Sequence, residues 1–209
     1  MVPVMVRSGL VAVLERARQV GFLGPGPVEA HIEHANSYGP AVIRASSGMG
    51  RGLIVDLGAG AGLPSLPLLM AYPDVRFVLV EAAQRRASFL VWATVELGLA
   101  DRAEVWCGRA ERFGHELGRR ACFDAVVARG FGAPAFTLEC GGPLLRVGGR
   151  LVVSEPPGYR RYPRDGVARA GLVLETLDDG LAVFRRDGDI AAGLPRSAKE
   201  QARRPLFVL

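Results

Sequence analysis

At 209 residues, with 49% hydrophobic and 22% charged side chains, the chain has the size and balance of one globular domain with a full core. No run approaches the roughly eighteen uninterrupted apolar residues of a membrane span. The apolar opening is punctuated by Arg7, Glu15, Arg16 and Arg18, which is not the order of a secretory signal, so a cytoplasmic protein with no membrane partner is expected. The formal net charge of +5 admits a polyanionic partner without requiring one; Lys199 is the only lysine, and the arginine excess carries little weight by itself.

In chain order, a helix is predicted over 9–20, because Leu10, Val13, Leu14 and Ala17 fall on one helical face. The segment 21–27, Gly-Phe-Leu-Gly-Pro-Gly-Pro, ends it, and a second helix is expected over 28–44, before a Ser/Gly-rich stretch at 46–52. Strands and helices then alternate, the pattern of a parallel sheet covered on both faces. Strands are expected at 53–57, 75–81, 104–107, 123–128 and 150–154, and helices at 63–71, 82–97, near 112–117 and at 134–145. Two last apolar runs, 172–177 and 181–185, flank Asp178-Asp179-Gly180, a turn typical of an antiparallel hairpin. A parallel sheet closed by a hairpin is the plan of Rossmann-like methyltransferases, whereas nicotinamide folds usually end on a parallel strand. The expected fold is therefore α/β, a mostly parallel seven-stranded sheet of the class I methyltransferase type. Residues 1–48 would form a helical extension, 49–190 the ligand-binding domain, and 191–209 a tail without clear periodicity whose last residues could pack on the body.

Metal chemistry is not expected. Cys107, Cys122 and Cys140 are odd in number and form no C-x-x-C pair, so three reduced and mostly buried thiols are predicted. His31 and His34 share a helical face but lack a third ligand of suitable spacing, and His115 stands alone. The arginine doublets, such as Arg85/Arg86, Arg119/Arg120, Arg160/Arg161 and Arg185/Arg186, read as solvated faces.

The chemically informative segment is 53–63, Leu-Ile-Val-Asp-Leu-Gly-Ala-Gly-Ala-Gly-Leu. It places Asp56 at the end of a buried strand, then Gly58, Gly60 and Gly62 at alternate positions, which permits a tight turn with a ligand close to the backbone. A dinucleotide loop needs glycine at position 63, where Leu63 stands, and no Gly-Lys-Ser/Thr ending marks a phosphate-cradling loop. The reading is an S-adenosylmethionine site. Free N–H groups at the next helix start would attract the methionine carboxylate, and Asp56 would hold the ammonium directly or through water. Glu81, closing the second strand, would accept both ribose hydroxyls; the alternative for it is a cap on the following helix.

The segment Asp-Leu-Gly-Ala-Gly-Ala-Gly-Leu-Pro-Ser-Leu-Pro at 56–67 resembles the signature of the bacterial 16S ribosomal RNA guanine-N7 methyltransferases, the glucose-inhibited division protein B family. The similarity continues through 80–90, 108–111, 126–131 and 143–151, about half of the chain. It implies cofactor contacts at Gly58 and Leu63, an adenine border at Ala110 and Glu111, and an arginine, Arg129, facing the cofactor crevice, where it could position the methionine end or an RNA phosphate. It also implies ribosomal RNA or the small ribosomal subunit as partner. The chain is a divergent member: the family's aromatic-Asn and Asn-Leu-Thr elements have no counterpart, and His31–Ser37 matches the family's histidine-containing helix only loosely. Guanine N7 has a free lone pair and no proton, so its methylation needs alignment and no general base, and no catalytic triad is expected. Phe131 and Tyr159 are candidates to stack on an extruded base. Ser154–Tyr159 loosely resembles the Pro-Pro-aromatic loop of amine methyltransferases, but its place after the fifth strand and its spacing argue against that role. The competing functions are a small-molecule methyltransferase and a protein that binds S-adenosylmethionine without methyl transfer.

Overall fold

The computed structural model describes residues 4–46, 52–156, 161–178 and 180–208. Most of the stretch before the first strand, Tyr159, Arg160 and the turn residue Asp179 lie outside the described residues.

Three helices come first, α1 (Val4–Gln19), α2 (Val28–Asn36) and α3 (Gly39–Ser46). The single helix expected over 28–44 is broken. Pro40 has no N–H to continue the ladder, Ser37 turns its hydroxyl back to donate to the His34 carbonyl (2.7 Å), and Gly39 packs so tightly on the Tyr72 ring that a Cβ would overlap it. The core then alternates β1 (Gly52–Leu57), α4 (Ser65–Ala71), β2 (Val75–Glu81), α5 (Gln84–Glu96), β3 (Ala103–Cys107), α6 (Ala110–Phe113), β4 (Phe123–Ala128), α7 (Pro134–Gly141) and β5 (Leu145–Ser154). After α8 (Arg164–Arg169) the hairpin β6 (Leu172–Asp178) and β7 (Leu181–Arg186) closes the sheet, and α9 (Ala198–Arg203) follows.

The seven strands lie in the order β3-β2-β1-β4-β5-β7-β6. β1 pairs in parallel with both β2 and β4, while β7 runs antiparallel to β5 and β6. The expected parallel sheet with a terminal hairpin is therefore present, and its switch point lies between β1 and β4. Alternate residues of β1 enter different cores: Ile54 joins a cluster with α1 to α5, Val55 and Leu57 one with α7 and α8. The two-residue period turns Asp56 toward the α4 side.

Several boundaries differ from expectation. The helix expected near 112–117 is α6, starting earlier, and α7 ends at Gly141 in a 3-10 turn, Gly142–Leu144. β5 starts at Leu145 because Phe123 pairs with Leu145 before a register shift. α8 and α9 were not expected; α9 carries a capping box in which Ser197 and Glu200 satisfy each other's backbone N–H. The tail packs as anticipated, with Phe207 buried against Gly166. Only Cys140 of the three thiols is buried, Cys107 being exposed and Cys122 half-buried, which corrects the expectation of mostly buried thiols. The arginine doublets are not simple solvated faces either. Arg186 is buried and donates to the Leu145 carbonyl, and Arg120 donates to the Gly114 and Leu194 carbonyls.

At the amino-terminal ends of the strands, Asp124 accepts from the Leu53 N–H (2.8 Å) and from Arg146 Nε (2.7 Å). Arg146 also donates to the Ala45 carbonyl (2.8 Å), so α3, β1, β4 and β5 are clasped together there. Among the described residues no helix is long and apolar enough to cross a membrane.

Candidate functional site

The opposite, carboxyl-terminal ends of β1, β2 and β4 open onto a cavity of about 510 Å³, the place where ligands settle in open parallel sheets. The turn after β1 forms its floor. Gly58, Gly60 and Gly62 all have positive φ (71°, 58° and 87°), as a turn this tight demands. They differ in what surrounds them. A Cβ on Gly58 would lie 2.7 Å from the Phe131 ring, and one on Gly62 would overlap Leu66; above Gly60 the space is open.

Seven of the nine predicted cofactor residues line this cavity: Gly58, Gly60, Leu63, Glu81, Ala110, Glu111 and Arg129. Gly62 and Asp56 do not. Gly62 serves the close packing of the turn on α4. Asp56 is fully buried, and its Oδ2 accepts from the Ser65 hydroxyl of α4 while Oδ1 has no partner among the described residues. Burial pushes its carboxyl up to about 7, against the lowering effect of the Ser65 hydrogen bonds; Glu81 raises it further and Arg129 lowers it. Asp56 is thus a buried acid beneath the turn, with one carboxylate oxygen unpaired among the described residues.

The loop's N–H groups are largely committed as well. Gly58 and Ala59 donate to the Val80 carbonyl, Gly60 to Glu81 Oε2 (3.1 Å) and Gly62 to the Ala59 carbonyl. α4 begins at Ser65 behind Pro64, which has no N–H, and the Leu66 N–H donates to the Gly62 carbonyl. Arg86, Arg109 and Arg129 are the basic groups on the cavity wall, and Arg129 stands beside the turn at the end of β4. Its Nη2 contacts His31 Nδ1 at 2.7 Å, and its Nη1 is buried without a partner among the described residues.

Glu81 joins the loop to the next helix. Its Oε1 accepts from the Ala83 N–H (2.8 Å) and pairs with Arg86 (2.9 Å), while Oε2 holds Gly60. The cap reading is therefore part of its role, and Oε2, with a single donor, retains acceptor capacity toward the cavity. Replacing Glu81 by alanine should weaken S-adenosylhomocysteine binding by more than about tenfold, since hydrogen bonds to charged groups contribute about 1.5–3 kcal/mol. Because Gly60 and Ala83 lose their acceptor, the urea midpoint should fall too. Unchanged affinity by calorimetry would remove Glu81 from the ligand site.

Sequence reasoning missed one wall of the cavity. Phe22, Leu23 and Gly24, from the turn-rich segment after α1, line it together with His31, Arg86, Arg109 and Phe136. Phe131 and Phe136 lie with ring centroids 5.3 Å apart at 34°, and Phe22 packs edge-on against Phe89 of α5. His31, one of the two histidines on the α2 face, reaches the cavity. His34 stacks edge-on to Tyr38 instead; burial lowers its pKa, as do Arg129 and His31. Among the described residues no group of three His, Cys, Asp or Glu side chains gathers as a metal site.

Comparison with solved structures gives the same architecture. A putative O-methyltransferase from Klebsiella pneumoniae superposes with a TM-score of 0.62 at 15% identity, covering 86% of this chain and 90% of that one. A cofactor-bound protein from MTB gives 0.61 at 20% identity, over 87% and 91%. In sequence, the protein named ribosomal RNA small subunit methyltransferase G of Chloroflexus aggregans is 34% identical over 169 residues, 73% of this chain and 69% of that protein. Its namesake in Rubrobacter xylanophilus is 32% identical over 197 residues, covering 93% and 70%. The Streptococcus gordonii protein of that name is 32% identical over 136 residues, 65% of this chain and only 57% of its own length. The profile of the rRNA small subunit methyltransferase G family matches residues 33–155, across both the glycine-rich turn and Arg129. By that match and those relatives, the chain belongs to the rRNA small subunit methyltransferase G family.

Proposed function

We propose that this chain transfers a methyl group from S-adenosylmethionine to N7 of a guanine in 16S ribosomal RNA, in the cytoplasm, on free RNA or on the small ribosomal subunit. The observation that carries the reading is the cavity at the β1/β4 switch point. It sets an open glycine turn, a carboxylate at the end of β2 and an arginine with an unpartnered Nη1 around one space. These three features suit the three parts of the cofactor. Glu81 would take the ribose hydroxyls, Gly58, Gly60 and Leu63 would let the chain approach the backbone, and Arg129 would face the carboxylate. Ala110 and Glu111, at the start of α6 and both largely buried, would border the adenine. Asp56 beneath the turn would favour the positive charge of the ammonium and sulfonium groups.

The bound cofactor supplies an activated methyl group; the protein supplies alignment. Phe131 and Phe136 offer a flat apolar surface on the cavity wall against which a guanine could stack with N7 toward the methyl group. N7 carries no proton to remove, so its methylation needs alignment and no general base.

The test is incubation of the protein and labelled S-adenosylmethionine with total RNA, small ribosomal subunits and small metabolites from a strain lacking its gene. Label is expected in 16S RNA, at a guanine, with binding that weakens steeply as salt rises. Label confined to metabolites would replace this reading by a small-molecule methyltransferase, and cofactor binding without transfer to any fraction would leave a binding protein.

A further inference from the structure

The turn-rich segment after α1 is connected to the cavity through one side chain, His31 in the first turn of α2. Its Nδ1 lies 2.7 Å from Arg129 Nη2, and its Nε2 lies 3.3 Å from the Gly24 carbonyl and 3.1 Å from the Pro25 carbonyl. These partners fix the tautomer. A guanidinium nitrogen only donates, so Nδ1 carries the lone pair; a carbonyl only accepts, so Nε2 carries the hydrogen. The neutral imidazole is used at both edges.

Arg129 is half-buried and its guanidinium is planar, so holding Nη2 also fixes where Nη1 points. That Nη1 is buried, without a partner among the described residues, in a group that lines the cavity. Nη1 is shut off from the open space, so the guanidinium meets the cavity along its remaining edge, where an anionic oxygen of the ligand would pair with its charge.

We propose that His31 is a positioning residue for ligand binding. It accepts from Arg129 Nη2 and so holds the guanidinium against the cavity, beside the carboxylate of the ligand's amino-acid end. Through Nε2 the ring is itself held by the Gly24 and Pro25 carbonyls, which keep Nδ1 turned toward Arg129. The inference rests on the S-adenosylmethionine reading above and adds a residue contributed by the N-terminal helices.

The test uses the full chain with two ligands, S-adenosylhomocysteine and methylthioadenosine, which lacks the amino-acid end. For His31→Ala, calorimetry should show S-adenosylhomocysteine weakened by about tenfold or more and methylthioadenosine changed by less than about twofold. His31→Asn keeps an acceptor near the Nδ1 position and should recover S-adenosylhomocysteine binding to within about threefold of wild type. Adding His31→Ala to Arg129→Met should bring no further loss, because both changes remove one interaction. Should the alanine variant not fold, His31→Phe keeps the ring volume without either nitrogen and should show the same split between ligands. Equal weakening of both ligands, additive losses in the double variant, or unchanged S-adenosylhomocysteine affinity would each overturn the assignment while leaving the cofactor reading in place. Wild-type protein that binds neither ligand would overturn both.

Discussion

Gly58→Val is expected to lower affinity for S-adenosylhomocysteine by at least about a hundredfold, roughly 3 kcal/mol. Two effects act together. At φ 71° a β-branched residue is strained by about 1–2 kcal/mol, and its Cβ would lie 2.7 Å from the Phe131 ring, forcing that ring and the methyl groups into the cavity. Gly60→Ala keeps the first effect without the overlap: its backbone is equally left-handed, but nothing in the protein stands closer than 3.6 Å to the added carbon. It should reduce binding by occupying ligand space, with a smaller fall in unfolding midpoint than an alanine at Gly58. Calorimetry and urea denaturation on the three proteins would decide; full affinity in Gly58→Val would mean that the ligand does not lie over the turn.

The second large effect concerns Asp56 and pH. Its carboxyl is raised from 3.8 to about 7, chiefly by burial. The folded chain therefore keeps a proton that the unfolded chain has already released. Stability from this group is complete below about 4, declines as pH rises, and is lost once pH passes about 7. The full span corresponds to about 4 kcal/mol. Asp56→Asn cannot ionise, so this part of the pH dependence should vanish, and the variant should gain on the wild type as pH is raised from 5 to about 8. A bound cation above the turn favours the ionised acid. Binding of S-adenosylmethionine near pH 6 should then release a proton, seen as heats that differ between buffers of unlike ionisation enthalpy, and Asp56→Asn should abolish it. Parallel stability–pH curves for the two proteins would show that Asp56 is not the titrating group.

How far the sequence reaches can be judged from particular elements. β2 and β4 have the predicted limits, because each is built on four consecutive apolar residues, Phe77–Val80 and Ala125–Ala128, buried on both faces. The break between α2 and α3 was less visible. Pro40 is a sequence signal, but the need for Gly39 comes from Tyr72, thirty-three positions along the chain and unrelated by any local period. The capping box at Ser197 and Glu200 was legible and simply outweighed by the weak periodicity around it.

The site divides in the same way. Gly58, Gly60, Leu63 and Glu81 stand at strand ends, where topology alone delivers them to the switch point. Asp56 stands at a strand end too, but the two-residue alternation turns it into the core, one position short of the turn. His31 was conspicuous as half of a histidine pair. Its partner lies 98 residues away, and no spacing within the helix announces an arginine arriving from β4. Phe22–Gly24 likewise reads as a helix terminator, and its service as a cavity wall depends on how α1 and α2 pack on the sheet.

The clasp of Asp124 and Arg146 on the Leu53 N–H and the Ala45 carbonyl gathers its hydrogen bonds at one pole of the sheet, with the cavity at the other. Strands are stiff along their length, and tightening one pole leaves the opposite crevice its shape. Heat tolerance and ligand choice are for that reason separable traits in this chain. An engineer seeking a hardier catalyst would rework the clasp, and one seeking a different acceptor would leave it alone and rebuild the wall formed by Phe131 and Phe136.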